Sequence, residues 1–346
     1  MAGRFFFEPM KKTLALLALA TMLCAVPAVS APKKKQPVKE TKMLLLYPEG
    51  QNVDKGIVEN GVEVTLGPGE SNGCTRHEEI NDWGDRSFIG DSARIYLYIP
   101  KKCNGQMVVV CPGGGYWIVS TKNEGHYAAD YLMEKGIAVC VVYYRLPYGH
   151  WEVPLRDVQN AFRYCRAHAA EWGVKQIGVM GFSAGGHLAA SASTLWTDEI
   201  TRPDFSVLYY PVITFGALTH QGTHDFLIGK REDWDDRTLP YNEYISRMEQ
   251  YNALEEKYSL QNRVNARTPP TLLLASTGDT TVPVENSIMY YDALRRCGVR
   301  AEMHLYANGN HGWGFTTLKF WDKDYMEKDR DAVHATLFHW LESIRK

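Results

Sequence analysis

Gly181-Phe182-Ser183-Ala184-Gly185-Gly186-His187 follows an apolar run, Gln176-Ile177-Gly178-Val179-Met180, and opens a small-residue stretch from Leu188 to Ala192. The run reads as a buried strand and the stretch as a helix, so Ser183 falls on a tight strand-to-helix turn. That turn, a nucleophile elbow, forces the serine into a strained backbone conformation and lifts its Oγ out of the sheet. Larger residues at Gly181 or Gly185 would collide where strand and helix cross. So short a pattern recurs by chance, and the reading rests on what surrounds it.

Outward from the elbow the chain alternates in the same rhythm. Strands are expected at 107–111, 137–143, 176–180, 205–210, 271–276 and 301–306. Helices are expected at 123–134, 155–172, 184–195, 284–297 and 326–344. In the second of these, Leu155, Val158, Phe162, Cys165 and Ala169 repeat at helical spacing. Before them, 44–47 and 93–99 alternate as half-buried strands do. Near-continuous apolar strands separated by helices predict an α/β fold, a mostly parallel central sheet with helices on both faces. One domain over 43–346 accommodates all of it. The long insertion at 212–267 is polar and aromatic, with Trp234, Tyr241, Tyr244, Tyr251 and Tyr258, and predicts a small helical cap over the sheet's carboxyl edge.

In such sheets ligands bind beyond the carboxyl ends of the strands, which filters the candidates for chemistry. A serine hydroxyl needs a base within hydrogen-bond reach. His304 lies inside a strand, and His334 and His339 lie on the last helix. His311 sits in the glycine-rich loop Ala307-Asn308-Gly309-Asn310-His311-Gly312, directly past a strand. The acid that orients the imidazole and stabilises its charged form is expected to be Asp279, just beyond the preceding strand. Glu285 falls in the first turn of the following helix, and Asp204 lies at the wrong edge of the sheet. The strand at 107–111 runs into Pro112-Gly113-Gly114-Gly115-Tyr116. Three successive glycines let backbone N–H groups face one point and, with the N–H of Ala184, hold a developing oxyanion. The Lys-Ser/Thr ending of a phosphate loop is absent.

Together these motifs resemble those of α/β-hydrolases, in the microbial esterase/lipase group related to hormone-sensitive lipase. The resemblance is to the branch with Pro-Gly-Gly-Gly-Tyr, which includes secreted bacterial acetyl-xylan and feruloyl esterases. It covers 93–346 and rests on Pro112–Tyr116, Tyr144-Arg145-Leu146, Gly181–His187, Asp279–Ser287 and Asn310–Gly314. The order Ser183, Asp279, His311 is that of the superfamily. The resemblance implies an oxyanion hole from Gly114, Gly115 and Ala184, and a serine carboxylesterase using no metal or organic cofactor. Its implied substrate is a short acyl ester, above all acetyl, on a plant polysaccharide or oligosaccharide such as xylan. Pro112 stands where many relatives carry histidine, so any role of that histidine is lost. Tyr116, Trp117 and Trp313 are expected to line the substrate pocket, while Arg145 and His187 brace the elbow. Two other functions share these pieces: a serine peptidase of prolyl-oligopeptidase type, and a non-catalytic carbohydrate-binding protein on a hydrolase scaffold.

The bulk properties fit. The chain has 346 residues, 45% hydrophobic, with a formal net charge of −2, which provides no broad attraction for nucleic acid or anionic lipid. Lys11-Lys12, the apolar run 14–26 and the small residues Ala28-Val29-Ser30-Ala31 predict a signal peptide over 1–31, with translation able to start at Met10. The expected product is exported, periplasmic or extracellular, without stable membrane insertion. Residues 32–42, rich in Lys and Pro, read as a disordered linker. No Cys-x-x-Cys pair exists, so neither a redox pair nor a zinc site is suggested. Buried free thiols are the default, with Cys74–Cys103 the one candidate bridge.

Overall fold

Apolar runs that never alternate with polar residues suit strands covered on both faces. The computed structural model describes residues 38–47, 57–59, 62–64, 71–90, 93–315 and 329–346. The expected signal peptide, residues 32–37 of the linker and 326–328 of the last helix lie outside them. Eight strands form one sheet: β1 (Val38–Leu45), β2 (Arg94–Pro100), β3 (Gln106–Cys111), β4 (Ala138–Tyr143), β5 (Gln176–Phe182), β6 (Ser206–Tyr209), β7 (Thr271–Ser276) and β8 (Ala301–Tyr306). Their spatial order is β1-β2-β4-β3-β5-β6-β7-β8. The ladders from β4 to β8 are parallel, and β2 is antiparallel to both of its neighbours. Every residue of β3 through β7 is buried, as the apolar runs require.

The start of β1 corrects the expected linker. From Val38 the backbone pairs with β2, Lys42 lying opposite Leu97. An edge strand needs a ladder on one side only, so lysines do not bar it.

From β3 the chain passes through α1 (Tyr127–Met133) to β4 on one side. From β5 it passes through α3 (Ser183–Thr194) to β6 on the other. Right-handed crossovers therefore set α1 and α3 on opposite faces of the sheet. α2 (Val153–His168) packs beside α3. α8 (Arg330–Ser343) joins α1, the Tyr131 and Phe338 rings lying 5.1 Å apart. α2 starts ahead of the expected 155 because Pro154 suits a first helical turn. Because the chain leaves β3 and β5 in opposite directions, the crevice beyond their ends is a topological switch point, where open α/β sheets bind ligands.

The insertion between β6 and β7 is helical: α4 (Gln221–Ile228), α5 (Arg231–Trp234) and α6 (Tyr241–Tyr258). Its Tyr251 and Tyr258 are buried in the core. α7 (Glu285–Arg296) links β7 to β8. Cys74 and Cys103 are free thiols, Cys74 donating to Phe88 O and Cys103 to Gln106 O, so the candidate bridge is not formed. Among the described residues no helix is long and apolar enough to cross a membrane.

Arg145 and Asp157 are both completely buried, and their side chains approach to 2.6 Å. Asp157 also accepts from the Arg145 backbone N–H at 2.8 Å and from the Tyr47 hydroxyl at 2.7 Å. Removing the carboxylate breaks this buried pair. Asp157→Ala is expected to cost about 3–5 kcal/mol, seen as a lower urea midpoint in equilibrium unfolding; an unchanged midpoint would contradict the account.

Candidate active site

The elbow is set by contact distances. A Cβ on Gly181 would stand 2.1 Å from Gly185 O, and one on Gly185 would stand 2.2 Å from Cys111 O and 2.3 Å from Pro112 O. Glycine at both positions lets α3 start flush against the ends of β5 and β3. The sharp turn leaves Ser183 at φ +54°, a left-handed conformation that few non-glycine residues adopt. Ser183 is also the first residue of α3, at the positive end of the helix dipole.

The loops after β7 and β8 bring the other two expected residues to it. Ser183 Oγ lies 2.7 Å from His311 Nε2, and His311 Nδ1 lies 2.7 Å from Asp279 Oδ2. A carboxylate can only accept, so Nδ1 carries the proton and Nε2 is left to accept the serine hydroxyl. The Asp279 side chain is 1% exposed. Its Oδ1 accepts the backbone N–H groups of Thr281 and Val282, both at 2.9 Å, which fixes the carboxylate's orientation toward the imidazole.

The glycine loop meets the same point. Gly113 O accepts from Ser120 N, and Gly114 O from Trp117 N and Ile118 N, so these carbonyls are engaged within the loop. The N–H groups of Gly114 and Gly115 have no partner among the described residues, and both glycines line the cavity that holds Ser183. Gly114 sits at φ +120°, where a Cβ would stand 2.3 Å from Ile118 O. Ala184 follows Ser183 at the opening of α3, where amides have no acceptor within the helix.

Two expected pocket residues stand elsewhere. Tyr116, at φ +58°, turns inward, is 2% exposed and meets His187 Nδ1 at 3.1 Å. His187 Nε2 lies 2.9 Å from Tyr258 O, which assigns its proton to Nε2 and leaves Nδ1 to accept from the tyrosine. Burial pulls His187 down to about 4, so the ring is neutral, joining the glycine loop to α3. Trp313 packs on Tyr209 and Tyr210, at 5.3 and 4.9 Å between ring centroids, because Gly314 N–H is drawn onto the Tyr210 hydroxyl. Trp117 does line the cavity.

Sequence reading missed Glu124. The helix expected at 123–134 opens instead with a wide π-turn, Lys122–His126, a feature frequent at functional sites. Fully buried there, Glu124 accepts Gly113 N–H at 2.8 Å on Oε2 and the Tyr210 hydroxyl at 2.8 Å on Oε1. The Tyr210 hydroxyl in turn accepts Gly314 N–H at 2.8 Å, and its ring packs edge-on against His311. Asn123 beside it donates to Gly312 O at 3.0 Å. This turn therefore ties the glycine loop to the histidine loop. Burial pushes the Glu124 carboxyl up, opposed by the Tyr210 hydroxyl, His311 and the Gly113 amide.

The cavity measures about 660 Å³, within the range of small-molecule sites. Its lining includes His220, which caps α4, and Gly222 and Phe226 within that helix, so the insertion does border the site. Among the described residues no group of three or more His, Cys, Asp or Glu side chains could hold a metal ion.

Comparison with known proteins gives this geometry a family. The BD-FAE family model matches residues 95–294, more than half of the chain. The chain belongs to the BD-FAE family. It is 36% identical over 257 residues, 73% of its length, to an acetylxylan esterase of Xylanibacter ruminicola, of which it spans 48%. It is 30% identical over 249 residues, 67% of its length, to endo-1,4-beta-xylanase B of Butyrivibrio fibrisolvens, of which it spans 36%. It therefore spans half or less of these two curated relatives. Among solved structures, an acetyl ester-xyloside bifunctional hydrolase from Caldicellulosiruptor lactoaceticus superposes with a TM-score of 0.54 at 28% identity, covering 79% of this chain and 98% of that one.

Glu124→Ala removes the acceptor of the Gly113 amide and of the Tyr210 hydroxyl that holds the histidine loop, and is expected to slow fluorophosphonate labelling of Ser183 by about 10- to 100-fold, below the usual loss of an oxyanion donor. Glu124→Gln, which keeps one acceptor, should lose less. Labelling at the native rate in a folded Glu124→Ala protein would contradict the bridging role.

Proposed function

We propose that this protein is a secreted serine carboxylesterase that removes short acyl groups, above all acetyl, from plant polysaccharides or oligosaccharides such as xylan. The observation that carries the reading is the relay of two 2.7 Å contacts from Asp279 through His311 to Ser183, facing a cavity lined by glycines with unpartnered amides. In this reading Ser183 Oγ attacks the ester carbonyl as His311 Nε2 takes its proton. Asp279 stabilises the imidazolium that forms. The amides of Gly114, Gly115 and Ala184 receive the oxyanion, each such donor contributing about 3 kcal/mol. His311 returns its proton to the leaving alcohol, and a water activated by the same imidazole then releases the acid from the acyl-enzyme.

Three relatives support the substrate class: an acetylxylan esterase, a xylanase and a hydrolase named for acetyl esters and xylosides. The charged and apolar residues of the N-terminal stretch support export.

Ser183→Ala should lower turnover of p-nitrophenyl acetate by on the order of 10⁶, and retained activity would remove Ser183 from this role. Acetate release from acetylated xylan, measured beside hydrolysis of aminoacyl amides, tests the substrate. Release with the amides uncleaved is expected; the reverse pattern would favour a peptidase.

A further inference from the structure

Two large aromatic side chains stand open at the mouth of the cavity. Trp117 is 56% exposed and Phe226 37% exposed, although each carries a large apolar surface. They come from different elements, the glycine loop and α4, yet their ring centroids lie 5.1 Å apart with the planes at 51°. The result is a tilted aromatic notch continuous with the cavity that holds Ser183. Gly222 and Phe226 lie four residues apart on one face of α4, and both line that cavity.

His220 caps the same helix. Its Nδ1 accepts the Thr223 backbone N–H at 3.2 Å and meets the Thr223 hydroxyl at 2.8 Å. That assigns the ring proton to Nε2. The ring stands beside the glycine loop, its Cε1 3.9 Å from where a Cβ on Gly115 would be. Nε2 has no partner among the described residues, and the residue lines the cavity. Burial lowers the ring's proton affinity, the neighbouring His311 adds to this and Asp279 opposes it, in keeping with an Nδ1 that accepts and an Nε2–H that donates.

We propose that Trp117, Phe226 and His220 form a subsite for the sugar ring that bears the ester. A pyranose has faces of C–H groups and a rim of oxygens. The faces match the aromatic notch, and an oxygen on the rim matches Nε2–H. A short aliphatic alcohol offers only a small C–H surface and no oxygen beyond that of the ester. The proposal rests on the reading of the substrate as an acylated saccharide, and it assigns sugar recognition to rings that touch the alcohol while Ser183 and the glycine loop handle the acyl group.

The test compares kcat/KM for acetate release from an acetylated xylo-oligosaccharide with that for ethyl acetate, in the native protein and in Trp117→Ala, Phe226→Ala and His220→Ala. Concentrations are set by fluorophosphonate titration of Ser183, so that any misfolded fraction drops out. The ratio of saccharide to ethyl acetate is expected to fall about five- to tenfold in each variant, mainly through KM on the saccharide, as loss of one stacking contact or hydrogen bond implies. His220→Gln, which restores an N–H donor, should recover part of that loss. Ratios within twofold of native in all three alanine variants would overturn the subsite. If the native protein cleaves ethyl acetate but releases nothing from acetylated saccharides, the substrate reading itself fails, which is a different result.

Discussion

The site depends on how closely α3 approaches the ends of β3 and β5. Gly185 has two carbonyl oxygens, of Cys111 and Pro112, within 2.3 Å of where its side chain would begin. No other residue type fits. That contact places the first turn of α3, with Ser183 and the Ala184 amide, against the loop carrying Gly114 and Gly115. Ser183 and the amides of Gly114, Gly115 and Ala184 are therefore juxtaposed by backbone packing rather than by flexible side chains, the arrangement that electrostatic preorganisation of the proposed reaction requires. The cost is the left-handed conformation of Ser183, at φ +54°, held by the buried strand before it and the helix after it.

Around that contact, three loops from separate strands must agree in position to about 0.5 Å. Buried polar bonds brace them. Tyr116 and His187 tie the glycine loop to α3, Glu124 and Tyr210 tie it to the histidine loop, and Asn123 holds Gly312. Such networks are strong only when fully satisfied, because a buried polar group left unpaired costs more than the bond contributed. Both oxygens of Glu124 have donors, which is how a fully buried carboxyl is tolerated beside the cavity.

The fold was legible because β3 through β7 are written as uninterrupted apolar runs, and because a parallel sheet allows few topologies. Ser183, Asp279 and His311 were legible for a related reason: each follows a strand, in a loop with glycine or a helix opening, on the edge where such sheets bind ligands. Glu124 was hidden because an acid in a helix-patterned stretch reads as a solvated face, and only the π-turn rotates it inward. Tyr116 was misplaced because an aromatic after three glycines reads as pocket wall, whereas its positive φ turns it into the core. His220 gave no signal, since histidine is not among the preferred helix caps and its Thr223 partner shows only in the fold. The beginning of β1 was lost in a Lys-rich run, where pairing comes from the neighbouring backbone.

The central claim is that His311 makes Ser183 a nucleophile at this one rim of the sheet. Its most direct test is the rate and position of phosphorylation by diethyl p-nitrophenyl phosphate, followed by peptide mass spectrometry, in the native protein and in His311→Ala. The account predicts a single diethylphosphoryl group on Ser183 in the native protein and none detectable in the variant over the same time. Modification at another residue, or of Ser183 at an equal rate without the imidazole, would contradict it.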